Sequence, residues 1–346
     1  MSSTCEPPDV IAGYLRRLSP AYAETPLLSL ADIAERTGVA AVFAKDETRR
    51  SLGSFKSLGG TYAGLRAIAE YMGCSVADVI AVRSTPANTP VLLTASAGNH
   101  GLAVAAAARF GGARARIYLS PGVPAARAKR IADEGAEIVW IEGTYDDAVA
   151  AAAKAAAESD GILVADTSAD PGDRGVADVM AGYAVLGHEI RSQFDRGGQA
   201  PPTHVFVQAG VGGLAAAMVN DLKDWLAPPA RFIAVEPDQA ACLTAALEAG
   251  KPVRIPGALK TVGDMLACGE ASAPALEVLR GAITAMTVSE AQLRAAPALL
   301  PATIATTPSG AAGLAGLQAV AESQALRERF GVTGQSRVLL VLTEGR

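Results

Sequence analysis

Short, uninterrupted apolar runs recur along this chain, each followed by a stretch of helix length, and that alternation limits the fold more than any other feature. Residues 40–44, 91–95, 205–208, 232–235 and 338–342 are such runs. Strands without polar alternation suit parallel sheets covered on both faces by helices. The intervening stretches carry helical signals. Over 57–72, Leu58, Tyr62, Leu65, Ala69 and Met72 step by four and three along one face. Further helices are predicted over 100–110, over 124–134 with Pro124 in the first turn, and from Thr144, where Asp146 and Asp147 suit a helix start. Another is expected over 214–225. The prediction is an α/β chain with parallel-rich sheets flanked by helices. A length of 346 residues suits two domains, half of the residues are hydrophobic, and GGQAPP at 197–202 marks a composition break.

Composition narrows the function classes. Acidic residues outnumber basic ones, 35 to 30, without a basic cluster, so neither nucleic acid nor an anionic membrane surface is an expected partner. The longest stretch without charge, 295–321, holds Pro297, Pro301 and Pro308, which argues against a spanning helix. MSSTCEPPDV lacks the basic end and apolar run of a secretory signal. Cys5, Cys74, Cys242 and Cys268 form no CxxC pair, so no disulfide framework or zinc site is expected and a cytoplasmic setting is. No metal site is assigned. Glu189 and Asp264 read as solvated or capping residues.

Three motifs carry chemistry. In SFKSLGG, Lys56 follows Phe55 at a predicted helix start, where the helix dipole and an apolar neighbour disfavour the ammonium. A neutral amine is what attack on a carbonyl requires. The plainer alternative is a surface lysine. In SAGNHG, the turn Ser96, Ala97, Gly98, Asn99 and His100 offers backbone N–H groups beside a helix N-terminus, a natural seat for a carboxylate, or else simple helix caps. In GVGGLA, Gly210, Val211, Gly212, Gly213 and Leu214 follow a strand and open a helix, which suits a phosphate. With Glu236 about twenty residues on, this loop also fits a dinucleotide fingerprint.

The three motifs in this order resemble pyridoxal-phosphate enzymes of the tryptophan-synthase-β type, fold type II. The closest branch is that of diaminopropionate ammonia-lyases and threonine or serine dehydratases. KDET at 45–48, FKSLGG at 55–60, the helix with Gly182 and Tyr183, LACGE at 266–270, PSGAAGLAGL at 308–317 and TEG at 343–345 support this, LACGE and TEG pointing to the lyases. The resemblance implies a two-domain fold with the cofactor, pyridoxal 5'-phosphate, in the interdomain cleft. The large cofactor-binding domain is expected from 1–64 and 176–346, and the small α/β domain from 65–175. Phe55, Lys56, Asn99, Gly210, Val211, Gly212, Gly213, Leu214 and Thr343 are the implied cofactor-binding residues. Ser96, Ala97, Gly98, Asn99 and His100 are the implied substrate-binding residues, and Lys56 and Asp166 the catalytic ones. Asp166 is the candidate for handling the proton of a departing amine.

The implied activity is an ammonia-lyase acting on a small amino acid, 2,3-diaminopropionate first, to give pyruvate and ammonia, in a homodimer. Two departures bear on substrate. Ala97 stands where the lyases usually carry aspartate, which predicts a preference for L-substrates, and Thr307 stands where many dehydratases have glutamate. The competing readings are an L-serine or L-threonine dehydratase, a nicotinamide-dependent oxidoreductase built on Gly210–Ala215 and Glu236, and a non-catalytic binding protein for the same cofactor.

Overall fold

A computed structural model of the chain describes residues 6–82, 89–159 and 161–345. Its strands, in chain order, are β1 (Leu27–Ser29), β2 (Ala41–Asp46), β3 (Val91–Thr94), β4 (Arg114–Leu119) and β5 (Glu137–Trp140), then β6 (Gly161–Leu163), β7 (His204–Gln208), β8 (Arg231–Pro237), β9 (Thr284–Val288) and β10 (Arg337–Leu342). The residues divide into two compact units. One takes in the segment up to Ala23 together with Lys56–Asp166 and Asp173–Val185; the other comprises Glu24–Phe55, Thr167–Gly172 and Leu186–Arg346. The helix Lys56–Met72 lies whole in the first unit.

The first unit holds a parallel sheet in the order β5-β4-β3-β6. Its helix Asn99–Gly111 is buried along most of its length, since alanines at 103 and 105–108 let it lie close to its neighbours. The helix Tyr145–Glu158 starts as its sequence predicts: Asp147 N donates to Thr144 Oγ1 at 3.3 Å, and Thr144 N donates to Asp147 Oδ2 at 2.7 Å. Pro124 sits just outside the helix Ala125–Asp133 rather than within its first turn.

The second unit is built on the sheet β1-β2-β10-β7-β8-β9, parallel except for β1 at one edge. β10 is central, with Leu340 opposite Ala44 on one side and Phe206 on the other, all fully buried. Val42, Ile233, Val235 and Leu342 join them in one core with the helix Ala312–Ala321. Gly316 lets that helix approach β8: a β-carbon there would fall 2.5 Å from Val235 Cγ2. Strands buried on both faces are what the continuous apolar runs demanded. Among the described residues, no helix is long and apolar enough to cross a membrane, and no cluster of side chains could hold a metal ion.

Candidate active site

In the first unit, Lys56 opens the helix Lys56–Met72 and its Nζ donates to Asp166 Oδ2 in a short ion pair. The two side chains remain 23% and 21% exposed. Burial pushes the Asp166 carboxyl up, but the Lys56 charge, the His100 ring and the Lys56 hydrogen bond outweigh it and hold the group well below the usual carboxylate range. His100 is buried, with Nε2 2.9 Å from the Val164 carbonyl oxygen. A carbonyl only accepts, so the ring proton sits on Nε2. Nδ1 is enclosed over Gly60, without a hydrogen-bond partner among the described residues. Burial lowers the pKa of this imidazole, with Asp166 opposing, and keeps it neutral at neutral pH.

Two glycines bring a further side chain to this place. A β-carbon on Gly59 would fall 2.3 Å from Tyr183 Cε1, and one on Gly182 would fall 2.6 Å from Gly59 Cα. Gly59 lies one turn after Lys56 on the same helix face, so the Tyr183 ring flanks the face that carries the lysine. Burial first, then the Asp166 charge, raise the Tyr183 phenol far above its ordinary value against the opposing Lys56 charge, so it stays protonated.

The Ser96–His100 turn leads from β3 into the helix Asn99–Gly111. Ser96, Ala97, Gly98 and Asn99 are half-buried. Gly98 N donates to Ser96 Oγ at 3.3 Å, and no side chain caps the helix start. Gly101 is required here, because a β-carbon would fall 1.9 Å from the Ser96 carbonyl oxygen. The first N–H groups of a helix have no intrahelical acceptor, which suits an anion.

In the second unit, Gly210, Val211 and Gly212 join β7 to the helix Gly213–Leu222, with Leu214 buried in its first turn. Gly212 has φ 99°, a conformation that favours glycine. The loop's carbonyls face the protein: Cys242 Sγ donates to Gly210 O at 3.4 Å and Ser272 N to Val211 O at 2.9 Å. A β-carbon on Gly210 would fall 2.9 Å from Cys268 Sγ. Thr343 follows β10, its Oγ1 accepting from Gln208 Nε2 at 2.9 Å and its carbonyl accepting from Phe55 N at 3.1 Å.

A family model described as pyridoxal-phosphate dependent enzyme matches residues 18–344. The chain belongs to the pyridoxal-phosphate dependent enzymes. It is 32% identical to the diaminopropionate ammonia-lyase of Salmonella typhimurium over 94% of this chain and 86% of that protein. Among solved structures, it resembles holo diaminopropionate ammonia lyase from Escherichia coli, with a TM-score of 0.87 and 31% identity over 98% of this chain and 88% of that one. It also resembles the Escherichia coli enzyme in complex with an aminoacrylate-PLP azomethine reaction intermediate, with a TM-score of 0.85 and 31% identity over 100% and 91% of the two chains.

The cofactor of this pyridoxal-phosphate dependent enzyme is pyridoxal phosphate, and the residues present suit it. A helix start that no side chain caps, behind a glycine in a left-handed conformation, matches a phosphate. A threonine hydroxyl that already accepts from Gln208 retains a proton for a ring nitrogen. Glu236, in contrast, does not suit the ribose of a dinucleotide. Its carboxylate accepts from Leu243 N at 2.7 Å, Thr244 N at 2.8 Å and Thr244 Oγ1 at 2.6 Å, and so caps the helix Cys242–Ala249.

One sequence reading is corrected. Glu189 is neither solvated nor a cap: it is buried against Lys45 Nζ at 2.7 Å and against Arg50 at 2.6 and 2.9 Å. Asp264 is exposed, as expected. Sequence reasoning named Lys56 and Asp166 without placing them in contact. It passed over Gln208, whose signal was a polar side chain directly after the apolar run 205–207, and it used Tyr183 only as a family marker.

Proposed function

We propose that this chain is an ammonia-lyase that converts a small β-substituted amino acid, 2,3-diaminopropionate first, to a 2-oxo acid. For diaminopropionate, substrate and one water give pyruvate and two ammonia molecules. The observation that carries the reading is the contact of the Lys56 amine with the Asp166 carboxylate, two proton-handling groups side by side and still reachable by solvent. The likeness to diaminopropionate ammonia-lyases over nearly the whole chain supports the substrate class.

Pyridoxal phosphate, when bound, supplies the electron sink that stabilises negative charge at the substrate α-carbon. The chain does the rest. The loop Gly210–Leu214 would hold the cofactor's phosphate, Thr343 would meet its ring nitrogen, and Phe55 and Asn99 would help to bind it. The Ser96–His100 turn binds the substrate carboxylate through backbone N–H groups. Lys56, the attachment point of the cofactor aldehyde, takes the α-proton as a general base. Asp166, ionised in its pair with Lys56, takes over the proton that Lys56 removes and passes it to the departing β-nitrogen, which must leave as a neutral amine. The larger domain, 1–64 and 176–346, would carry the cofactor and the smaller one, 65–175, the carboxylate turn. Homodimer assembly and a cytoplasmic setting complete the reading, the latter supported by free thiols at Cys74, Cys242 and Cys268.

Borohydride reduction of the holoenzyme followed by peptide mass spectrometry tests the assignment. The cofactor mass should appear on Lys56, and its absence there would refute it. A substrate panel tests the rest. L-Diaminopropionate should be turned over faster than its D-enantiomer, because Ala97 supplies no second carboxylate. Faster release of ammonia from L-serine than from L-diaminopropionate would favour a dehydratase, the reading to which Ala97 also leans.

A further inference from the structure

Gln208 ends β7 with its side chain buried. Its Nε2 lies 2.8 Å from Gly310 O, 3.0 Å from Val341 O and 2.9 Å from Thr343 Oγ1. Two of these three neighbours are carbonyls that only accept, which fixes the amide orientation: nitrogen, not oxygen, faces them. The other end, Oε1, is turned toward Gly313, 3.2 Å from where a β-carbon would stand, and meets no donor among the described residues.

An amide nitrogen has no lone pair to offer. The Thr343 hydroxyl therefore accepts from Gln208 and cannot donate to it. Among the described residues, no acceptor takes the threonine proton. We propose that Gln208 is a positioning residue that aims the Thr343 hydroxyl, as a donor, at the pyridine nitrogen of the cofactor and thereby keeps that nitrogen unprotonated. A protonated ring nitrogen would need Thr343 to accept and to place its own proton on a second acceptor, and among the described residues its hydroxyl donates to none. This inference rests on the proposed place of Thr343 at the ring nitrogen.

The test is the 15N resonance of holoenzyme loaded with ring-labelled cofactor, in the wild type and in Gln208→Leu. The wild-type resonance should be that of an unprotonated pyridine and should not titrate. Q208L should move it toward the protonated position and lower kcat about tenfold with KM little changed, the size expected for one lost hydrogen bond. A protonated wild-type resonance, or Q208L with wild-type resonance and kcat, would overturn the proposal. Should Q208L fail to fold, the wild-type apoprotein still decides. A 1-deaza analogue, which puts C–H in place of the ring nitrogen, should bind about tenfold more weakly than pyridoxal phosphate, and equal binding overturns the proposal. Borohydride labelling on the same samples separates the two levels. An unlabelled Lys56 defeats the cofactor assignment itself, whereas a labelled Lys56 with negative results above defeats only the contact that Gln208 and Thr343 make with the ring nitrogen.

Discussion

Two lysine–carboxylate pairs in this protein have the same chemistry and opposite surroundings. In the second unit, Lys45 and Glu189 are 0% and 4% exposed, and their neighbours use the remaining hydrogen-bonding capacity. Lys45 Nζ also reaches Thr25 O at 2.8 Å and Gln193 Oε1 at 3.0 Å, while Arg50 forks onto both Glu47 and Glu189. In the first unit, Lys56 and Asp166 are each about one-fifth exposed and stand between a neutral histidine and a protonated tyrosine. A fully enclosed ion pair whose donors are all spent can only brace its surroundings. A half-open pair can exchange its proton and its partner. Residue type alone does not separate the two lysines; enclosure does.

The comparison breaks most readily at the lysine and at the arginine. Lys56→Ala should lower turnover at least about a thousandfold while leaving thermal stability near that of the wild type, because a partly exposed pair adds little to folding. Retained turnover would remove Lys56 from the chemistry. Arg50→Met should do the reverse. It strands the buried Glu47 carboxylate, leaves Glu189 with Lys45 alone, and should cost about 3–5 kcal/mol of stability, read as a large fall in denaturant midpoint. A mild loss would mean that the enclosed cluster is not a brace. Asp166→Asn is the finer probe of the open pair. Lyase kcat should drop about 10²–10⁴-fold, with unfolding little changed. Unchanged kcat with both diaminopropionate and serine would leave Asp166 without a role.

Local features of both units were legible in the sequence. Thr144 with Asp147 announced its helix start, the glycines at 210–213 the loop between strand and helix, and the apolar runs their strands. β1, three residues long, and β9, TAMTV with exposed threonines, lacked a continuous apolar run and gave no such signal. Candidate site residues could be named one by one, because each sits in a short motif. Their partners could not. Lys56 and Asp166 are 110 positions apart, Gln208 and Thr343 135, and Arg50 and Glu189 139. Such pairings are set by how strands and helices stack, and periodicity within one segment carries no record of them. Glu189 was misjudged for that reason: its neutralising cations lie far away in sequence, in the KDETRR stretch.

A third carboxyl sharpens the rule, because it is shielded without a cation in contact. Asp221, in the helix Gly213–Leu222, turns Oδ2 toward Gly187, 2.4 Å from where a β-carbon would stand, and that oxygen has no hydrogen-bond partner among the described residues. Arg191 Nη1 reaches only the Asp221 backbone oxygen, at 3.5 Å. Burial pushes the carboxyl up to about 7, with Arg191 only partly opposing it. The folded chain therefore holds a proton that the unfolded chain releases near the ordinary value of 3.8. The stability this provides is full below that value, declines as pH rises, and is gone above about 7. Asp221→Asn keeps the shape and removes the titration. At pH 8 it should unfold later than the wild type by up to about 2 kcal/mol, a figure discounted because the side chain is only half-buried. The advantage should shrink steadily as pH falls toward 4. An advantage that stays constant with pH would trace the effect to packing against Gly187, and the absence of any advantage at pH 8 would show that solvent reaches this carboxylate after all.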